Sequence, residues 1–225
     1  MYRFHPHIAE AHRRVAAGEI GRVLHIRSAR VAPGRDRANP RYRREAGGGA
    51  LMDIGCYCVN LSRALAGREP VCVTAQARFD AQTDVDLMLA GTLEFPGGAV
   101  AQFVCGFEGE PTYSAEVIGT EGRLTIPHPW MPPCFPNVIE LTRRNQTETI
   151  RVAPPDIPQH VLAPFILEFD HFCACVRANR PPEFPPGSDA ERDSRGNMRV
   201  IDALVQSARQ QQPVALATRT GCGTE

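Results

Sequence analysis

The chain of 225 residues contains no lysine, since all 25 of its basic side chains are arginine. The 25 acidic side chains balance them, so the formal net charge is zero. No basic stripe of the kind that accompanies nucleic-acid binding is visible in the sequence. We therefore expect no nucleic-acid partner.

Long apolar runs are also missing, so no segment reads as a membrane span. The first residues, MYRFHPHIAEAHRR, lack the apolar core of a signal peptide. With 43% hydrophobic residues the chain can nevertheless bury a substantial core. We expect a folded cytoplasmic protein without a membrane partner.

The eight cysteines include no Cys-x-x-Cys pair and no zinc-type spacing. Cys56 and Cys58, like Cys173 and Cys175, are two residues apart on predicted helices, where side chains at that spacing point in different directions. We therefore expect reduced, mostly buried thiols and no metal.

Apolar residues recur with two periods along the chain. Alternation of apolar and polar residues, typical of strands, occurs over 21–31 and, with short turns, over about 71–152. Consecutive strands with short turns indicate an antiparallel meander. A spacing of three or four residues, typical of amphipathic helices, occurs over 5–17, 51–65, 162–178 and 194–209. The sequence predicts an α+β fold, an open and mostly antiparallel sheet with helices on one face.

The segment GGGALMDIGCYCVN, residues 47–60, combines three glycines with the start of a predicted helix. A phosphate cradle is one interpretation, but Met52 stands where the last glycine of G-x-G-x-x-G would fall. The alternative is that the glycines allow a tight entry to a helix packed close to the sheet.

Asp53 and Tyr57 are four residues apart and share a face of this helix, with Asn60 close by. They border the apolar stripe rather than bulk solvent. A tyrosine there could hydrogen-bond the acid and present its hydroxyl to a ligand as a proton donor. The structural alternative is an acid near a helix start, favoured by the helix dipole, beside a half-buried tyrosine.

Several of these segments together resemble the C-terminal domain of the Gfo/Idh/MocA oxidoreductases. The resemblance covers about residues 1–216, and residues 217–225 read as a loose tail. Its motifs are MYRFHP, GEIGRV, the segment from GGGALMDIG to AGREP, FPGGAVAQF, VIGTEGRLTIP and IDALVQSARQQQPVAL.

The resemblance implies an enzyme that uses NAD or NADP, bound by an N-terminal Rossmann domain, on a sugar, polyol or small diol. The active site would combine a lysine of that domain with an acid and a tyrosine or histidine from the helix after the glycines. Asp53 and Tyr57 match those two positions, and Arg43 matches a position that often lines the substrate pocket. We assign Asn60 to substrate binding with Arg43. The free sheet face would form a homodimer.

The 225 residues include neither the Rossmann domain nor any lysine. The resemblance therefore implies the C-terminal part of an oxidoreductase, as a fragment, a truncated gene product or half of a split enzyme, inactive alone. A stand-alone assembly or ligand-binding module is the alternative. A metal-dependent hydrolase using His5, His7 and His12 is a more distant one.

Overall fold

The computed structural model describes residues 1–33, 36–130, 137–153, 162–182 and 190–216. The predictions for Cys134, Cys222 and the tail 217–225 lie outside these residues.

Helices form where the apolar period of three or four predicts them. A 3₁₀ turn at Tyr2–Phe4 precedes the first α-helix, and a π-helical turn at Leu51–Gly55 leads into the second. The α-helices of the described residues are α1 (Pro6–Ala16), α2 (Cys56–Ala66), α3 (Ala163–Arg177) and α4 (Ala190–Gln210).

The strands form one sheet of nine in the described residues. They are β1 (Val23–Val31), β2 (Cys72–Phe79), β3 (Asp86–Glu94), β4 (Val100–Gly106), β5 (Thr112–Gly119), β6 (Arg123–Ile126), β7 (Val138–Arg143), β8 (Gln146–Arg151) and β9 (Val214–Ala215). Their order is β8-β7-β6-β5-β1-β4-β3-β2-β9. All pairings are antiparallel except that of β1 with β4. The predicted α+β fold is confirmed.

Alternation along each strand determines which residues enter the core. In β3, Leu87, Leu89 and Leu93 are buried, and a Cβ at Gly91 would meet Leu204 of α4. Helix α4 packs on β2, and α2 packs on β1 and β4. The core therefore lies between the sheet and the helices on one of its faces.

The other sheet face is of mixed character. In β3 the residues that point there are Met88, Ala90, Thr92 and Glu94, of which Ala90 and Glu94 are exposed. The apolar residues of β3, such as Leu87, Leu89 and Leu93, point into the core and not to this face. Dimerisation through this face stays a prediction. No helix of the described residues is long and apolar enough to cross a bilayer.

Candidate functional site

The glycine run brings the backbone close to a buried carboxylate. Gly49 has φ of 120°, and a Cβ on it would overlap the Asp86 side chain. The Leu51 N–H donates to Asp86 Oδ2 at 2.6 Å. Asp86 thus takes the place at the start of the helix that a phosphate would need. Burial raises the pKa of Asp86 to about 6, against the lowering effect of this hydrogen bond. The structure therefore favours the tight-entry interpretation over the phosphate cradle.

Asp53 lies in the π-helical turn Leu51–Gly55, and such turns are frequent at functional sites. Its side chain is largely buried, and the Arg41 Nε donates to its Oδ1 at 2.6 Å. Arg41 is itself held by Asn39, whose side chain accepts the Arg41 N–H. The acid is thus fixed by the loop that precedes the glycines.

Tyr57 lies in the first turn of α2 and is only partly buried. The guanidinium carbon of Arg30 lies 3.8 Å from the centre of its ring, and the Tyr2 ring lies 5.7 Å away. Two neighbouring side chains therefore pack against the ring of Tyr57. Tyr2 is no competing proton donor, because its side chain is buried and its hydroxyl donates to Asn60 Oδ1; burial also raises the pKa of this phenol.

Arg30 is a residue that sequence reasoning missed. It is 6% exposed, and its Nε and Nη1 have no hydrogen-bond partner among the described residues. A buried guanidinium without full pairing is costly, and its contact with the Tyr57 ring offsets only part of that cost. The available signal was its place in β1, on the same side as buried Ile26 and Ser28.

Arg41 was also missed, because the resemblance directed attention to Arg43. The structure leaves Arg43 exposed, with its Nη2 donating to the Ala38 carbonyl at 3.1 Å. Arg41, two residues earlier in the chain, is the arginine whose Nε donates to Asp53. The 3₁₀ turn at Pro40–Tyr42 decides which arginine points inward, and the sequence pattern does not show it.

Asn60 is buried and bonded at both ends of its side chain. It accepts the Tyr2 hydroxyl proton at 2.7 Å, and its amide donates to the Asp193 carboxylate at 3.3 Å. Through these two hydrogen bonds Asn60 connects α2 with Tyr2 and with α4. Substrate binding by Asn60 stays a prediction.

His5 and His7 are buried and adjacent, with their Nδ1 atoms 2.6 Å apart. His7 Nε2 lies 3.0 Å from the His128 carbonyl, to which it donates, so His7 Nδ1 accepts from His5. Burial lowers the pKa of His5 to about 4 and, with the neighbouring His5, that of His7 to about 3. No three possible metal ligands come together within the described ranges.

We expect His7 to make stability depend on pH. Its pKa of about 3 lies below the ordinary 6.5, so between these values the unfolded chain binds the extra proton. Above the ordinary pKa, neutral His7 therefore contributes fully to the free energy of unfolding. This contribution is lost as pH falls, by up to about 1.4 kcal/mol per pH unit. Urea unfolding at several pH values should show a flatter profile for His7→Gln than for the parent chain.

The raised pKa of Asp86 makes the free energy of unfolding fall as pH rises, which is opposite to the effect of His7. The test therefore compares the variant with the parent over the same pH range. His25→Gln, on the free sheet face, is the matched control. A His7→Gln profile parallel to that of the parent would contradict the assignment of the buried neutral pair.

The six cysteines in the described residues are free thiols, of which Cys58, Cys105 and Cys175 are buried. Burial raises the pKa of Cys56 to about 11 and that of Cys58 to about 12. Burial therefore favours the protonated thiol at both of these positions in α2, so neither is an activated nucleophile.

A family model described as the GFO/IDH/MocA C-terminal domain matches residues 8–125, just over half of the chain. The chain belongs to the GFO/IDH/MocA family. Its similarity to a curated relative extends further: it is 30% identical over 214 residues to D-xylose 1-dehydrogenase (NADP(+)) 2 from Haloferax volcanii. That match covers 92% of the chain and 60% of the relative.

Solved structures of oxidoreductases share this fold. The aldose-aldose oxidoreductase from Caulobacter crescentus, complexed with glycerol, superposes with a TM-score of 0.80 at 27% identity, over 96% of this chain and 62% of that one. KijD10, a 3-ketoreductase from Actinomadura kijaniata in complex with NADP and TDP-benzene, gives 0.78 at 25% identity, over 92% and 61%. The chain thus spans about 60% of the length of these three relatives.

Proposed function

We propose that this GFO/IDH/MocA chain is the substrate-side part of an NAD(P)-dependent oxidoreductase acting on a sugar, polyol or small diol. Residues 1–216 serve in this proposal as the substrate and dimerisation domain. The observation that carries it is the partly exposed Tyr57 phenol, fixed by Arg30 and Tyr2 on the helix that also holds Asp53. The dehydrogenase and reductase names of the relatives favour it over a stand-alone binding module.

Tyr57 exchanges a proton with the substrate oxygen in this proposal. The guanidinium of Arg30 against its ring stabilises negative charge that develops on the phenol oxygen during the transfer. Asp53, held by Arg41, supplies the second polar group of the site. The exposed Arg43 and the buried Asn60 are retained as proposed substrate-binding residues.

The helix start after the glycines does not fit a nucleotide diphosphate, because its Leu51 N–H is already bonded to the buried Asp86 carboxylate. NAD or NADP would therefore be held by a further part, such as the relatives' extra length provides. When bound, the cofactor exchanges a hydride with the substrate carbon.

The test of this function uses a complete chimera, in which the part of KijD10 that this chain does not match is fused to Met1, since KijD10 was crystallised with NADP. We expect calorimetry to show NAD(P) binding by the chimera and none by residues 1–225 alone. With a panel of sugars, polyols and diols, the chimera should reduce NAD(P)⁺. Micromolar cofactor binding by the chain alone, or a folded, NADP-bound chimera that oxidises none of the panel, would overturn the proposal.

The free face of the sheet is proposed as a homodimer interface. Outward residues of β3 combine small and polar side chains, as in Ala90 and Thr92, that two copies can pack without large voids. Light scattering at tens of micromolar concentration should give twice the mass of one chain, and Ala90→Arg should give the mass of one. The free thiols of the described residues support a cytoplasmic location.

A further inference from the structure

Arg30 is a buried cation to which the described part of the chain supplies no paired oxyanion. Its side chain is 6% exposed, and its Nε and Nη1 have no hydrogen-bond partner there. A carboxylate that binds a guanidinium through two parallel hydrogen bonds uses at least one of these two nitrogens. The described residues therefore hold no such pair, and the charge is removed from water without the partner that usually offsets this cost.

The groups that do surround the guanidinium of Arg30 are neutral. Its carbon lies 3.8 Å from the centre of the Tyr57 ring and 5.8 Å from that of the Trp130 ring. The thiols of Cys56 and Cys58 are close enough to interact with its charge. Burial raises the pKa of these thiols to about 11 and about 12, so they stay protonated at neutral pH. None of these neighbours supplies a negative charge.

The indole of Trp130 adds a second unpaired donor beside Arg30. Its side chain has 0% exposure, and its Nε1 has no hydrogen-bond partner among the residues that the structure describes. A guanidinium and an indole N–H donate hydrogen bonds and accept none. Only an acceptor can therefore satisfy these two side chains, and the charge of Arg30 favours an oxyanion over a neutral oxygen.

These two donors lie beside the residue that exchanges the proton in the proposed function. Arg30 contacts the face of the Tyr57 ring, and Tyr57 is only partly buried, in the first turn of α2. A substrate that reaches the Tyr57 hydroxyl therefore lies next to the Arg30 guanidinium. An oxyanion carried by that substrate would fix its orientation at the reacting carbon.

We propose that Arg30 and Trp130 bind an anionic group of the substrate, so that the enzyme acts on a sugar, polyol or diol bearing a carboxylate or a phosphate. The inference rests on the proposed function for the reaction and on these two side chains for the substrate class. Arg30 then determines specificity, because a neutral substrate leaves the buried guanidinium without its partner.

Trp130 is the single tryptophan of the 225 residues, so its fluorescence reports on this site. Residues 1–225 are titrated at constant ionic strength with glucuronate, glucose 6-phosphate, glucose and inorganic phosphate, and calorimetry follows the same titrations. At least one of the two anionic sugars should half-saturate the signal at a concentration at least about tenfold below that of glucose, as expected for hydrogen bonds to a charged group. The comparison of the two anionic sugars distinguishes a carboxylate from a phosphate.

Arg30→Gln should abolish the advantage of the anionic sugars over glucose. The variant should melt at the temperature of the parent chain or above it, because it removes a buried charge that lacks a partner. Arg27→Gln is the matched control, since Arg27 lies on the free face of the same strand and pairs with Glu116. It should leave the advantage unchanged.

Equal binding of glucose and both anionic sugars by the folded chain, or no signal with any of the four compounds, would overturn the inference. Inorganic phosphate that binds as tightly as the anionic sugars would also overturn it, since the site would then hold a free anion. A much lower melting temperature of Arg30→Gln would show that the guanidinium is already paired within the chain, with the same consequence.

The titrations need neither cofactor nor turnover. Anion binding that depends on Arg30, together with a folded, NADP-bound chimera that oxidises none of the panel, would contradict the proposed function and leave the anion site standing. A chimera that oxidises neutral sugars and shows no preference for anionic ones would overturn the anion site alone.

Discussion

Replacing Tyr57 by phenylalanine should lower kcat of the complete chimera by roughly 10² to 10⁴, because the general acid–base group is lost. The ring and its contacts with Arg30 and Tyr2 remain, so folding should be little affected. Cofactor affinity should stay nearly unchanged, since the nucleotide is held elsewhere. Steady-state kinetics and the melting temperature, measured together, test this expectation.

Tyr2→Phe is the matched control for the loss of a hydroxyl. The Tyr2 hydroxyl is buried and donates to Asn60, so its removal should cost about 1–3 kcal/mol of stability. It should leave kcat within a few-fold of the parent. If instead Tyr57→Phe turns over like the parent enzyme and differs only in stability, the helix after the glycines is a scaffold and Tyr57 exchanges no proton.

Asp53→Asn should give a smaller loss of kcat than Tyr57→Phe. The change removes the charge that pairs with Arg41 but keeps a side-chain oxygen able to accept the Arg41 Nε–H. The ordering of the two variants, with Tyr57→Phe the slower, distinguishes a proton-exchanging phenol from a purely electrostatic role of the acid.

Replacing Gly49 by alanine should destabilise the fold by more than about 3 kcal/mol. Its φ of 120° is strained for any other residue, and the added Cβ would overlap the Asp86 carboxylate. That carboxylate cannot move away without breaking its bond to the Leu51 N–H. Urea unfolding of the chain measures the loss.

Gly47→Ala is the control for the backbone cost alone. Gly47 has φ of 69°, and a Cβ there meets nothing within 4 Å, so we expect a loss of about 1 kcal/mol. Combining Gly49→Ala with Asp86→Ala should cost less than the sum of the two single changes, because the overlapping oxygen is removed. Equal losses at Gly47 and Gly49, or simple additivity with Asp86→Ala, would contradict the close approach.

Local patterns predict much of this sheet, but not its strand order. Short connections join β2 to β3, β3 to β4, β5 to β6 and β7 to β8, so alternation in these segments predicts antiparallel neighbours. The parallel contact of β1 with β4 joins segments separated by α2, β2 and β3. No local pattern encodes such a pairing, since it depends on how the whole sheet closes over the helices.

Periodicity also predicts α3 without saying what its apolar row faces. Phe169 and Phe172 have the spacing of a core helix, yet both are exposed. The pattern identifies an apolar face of the helix and does not determine whether the chain's own sheet covers it. Only the three-dimensional arrangement makes that distinction.

The sequence singles out Asp53 and Tyr57 but not the arginines that hold them. Arg41 reaches Asp53 across a loop, and Arg30 reaches Tyr57 from the middle of the sheet. Both contacts are made between elements distant in sequence or through loop geometry. A chain with 25 arginines offers no way to select these two by residue type.

A crystal structure of the complete chimera with NADP and a bound sugar or diol tests the central claim most directly. We predict that the Tyr57 hydroxyl lies within about 3.2 Å of the reacting substrate oxygen. The substrate carbon should lie roughly 3–3.5 Å from the nicotinamide C4. A bound substrate whose reacting oxygen lies beyond hydrogen-bonding distance of Tyr57 and contacts another group of the protein instead would contradict the account.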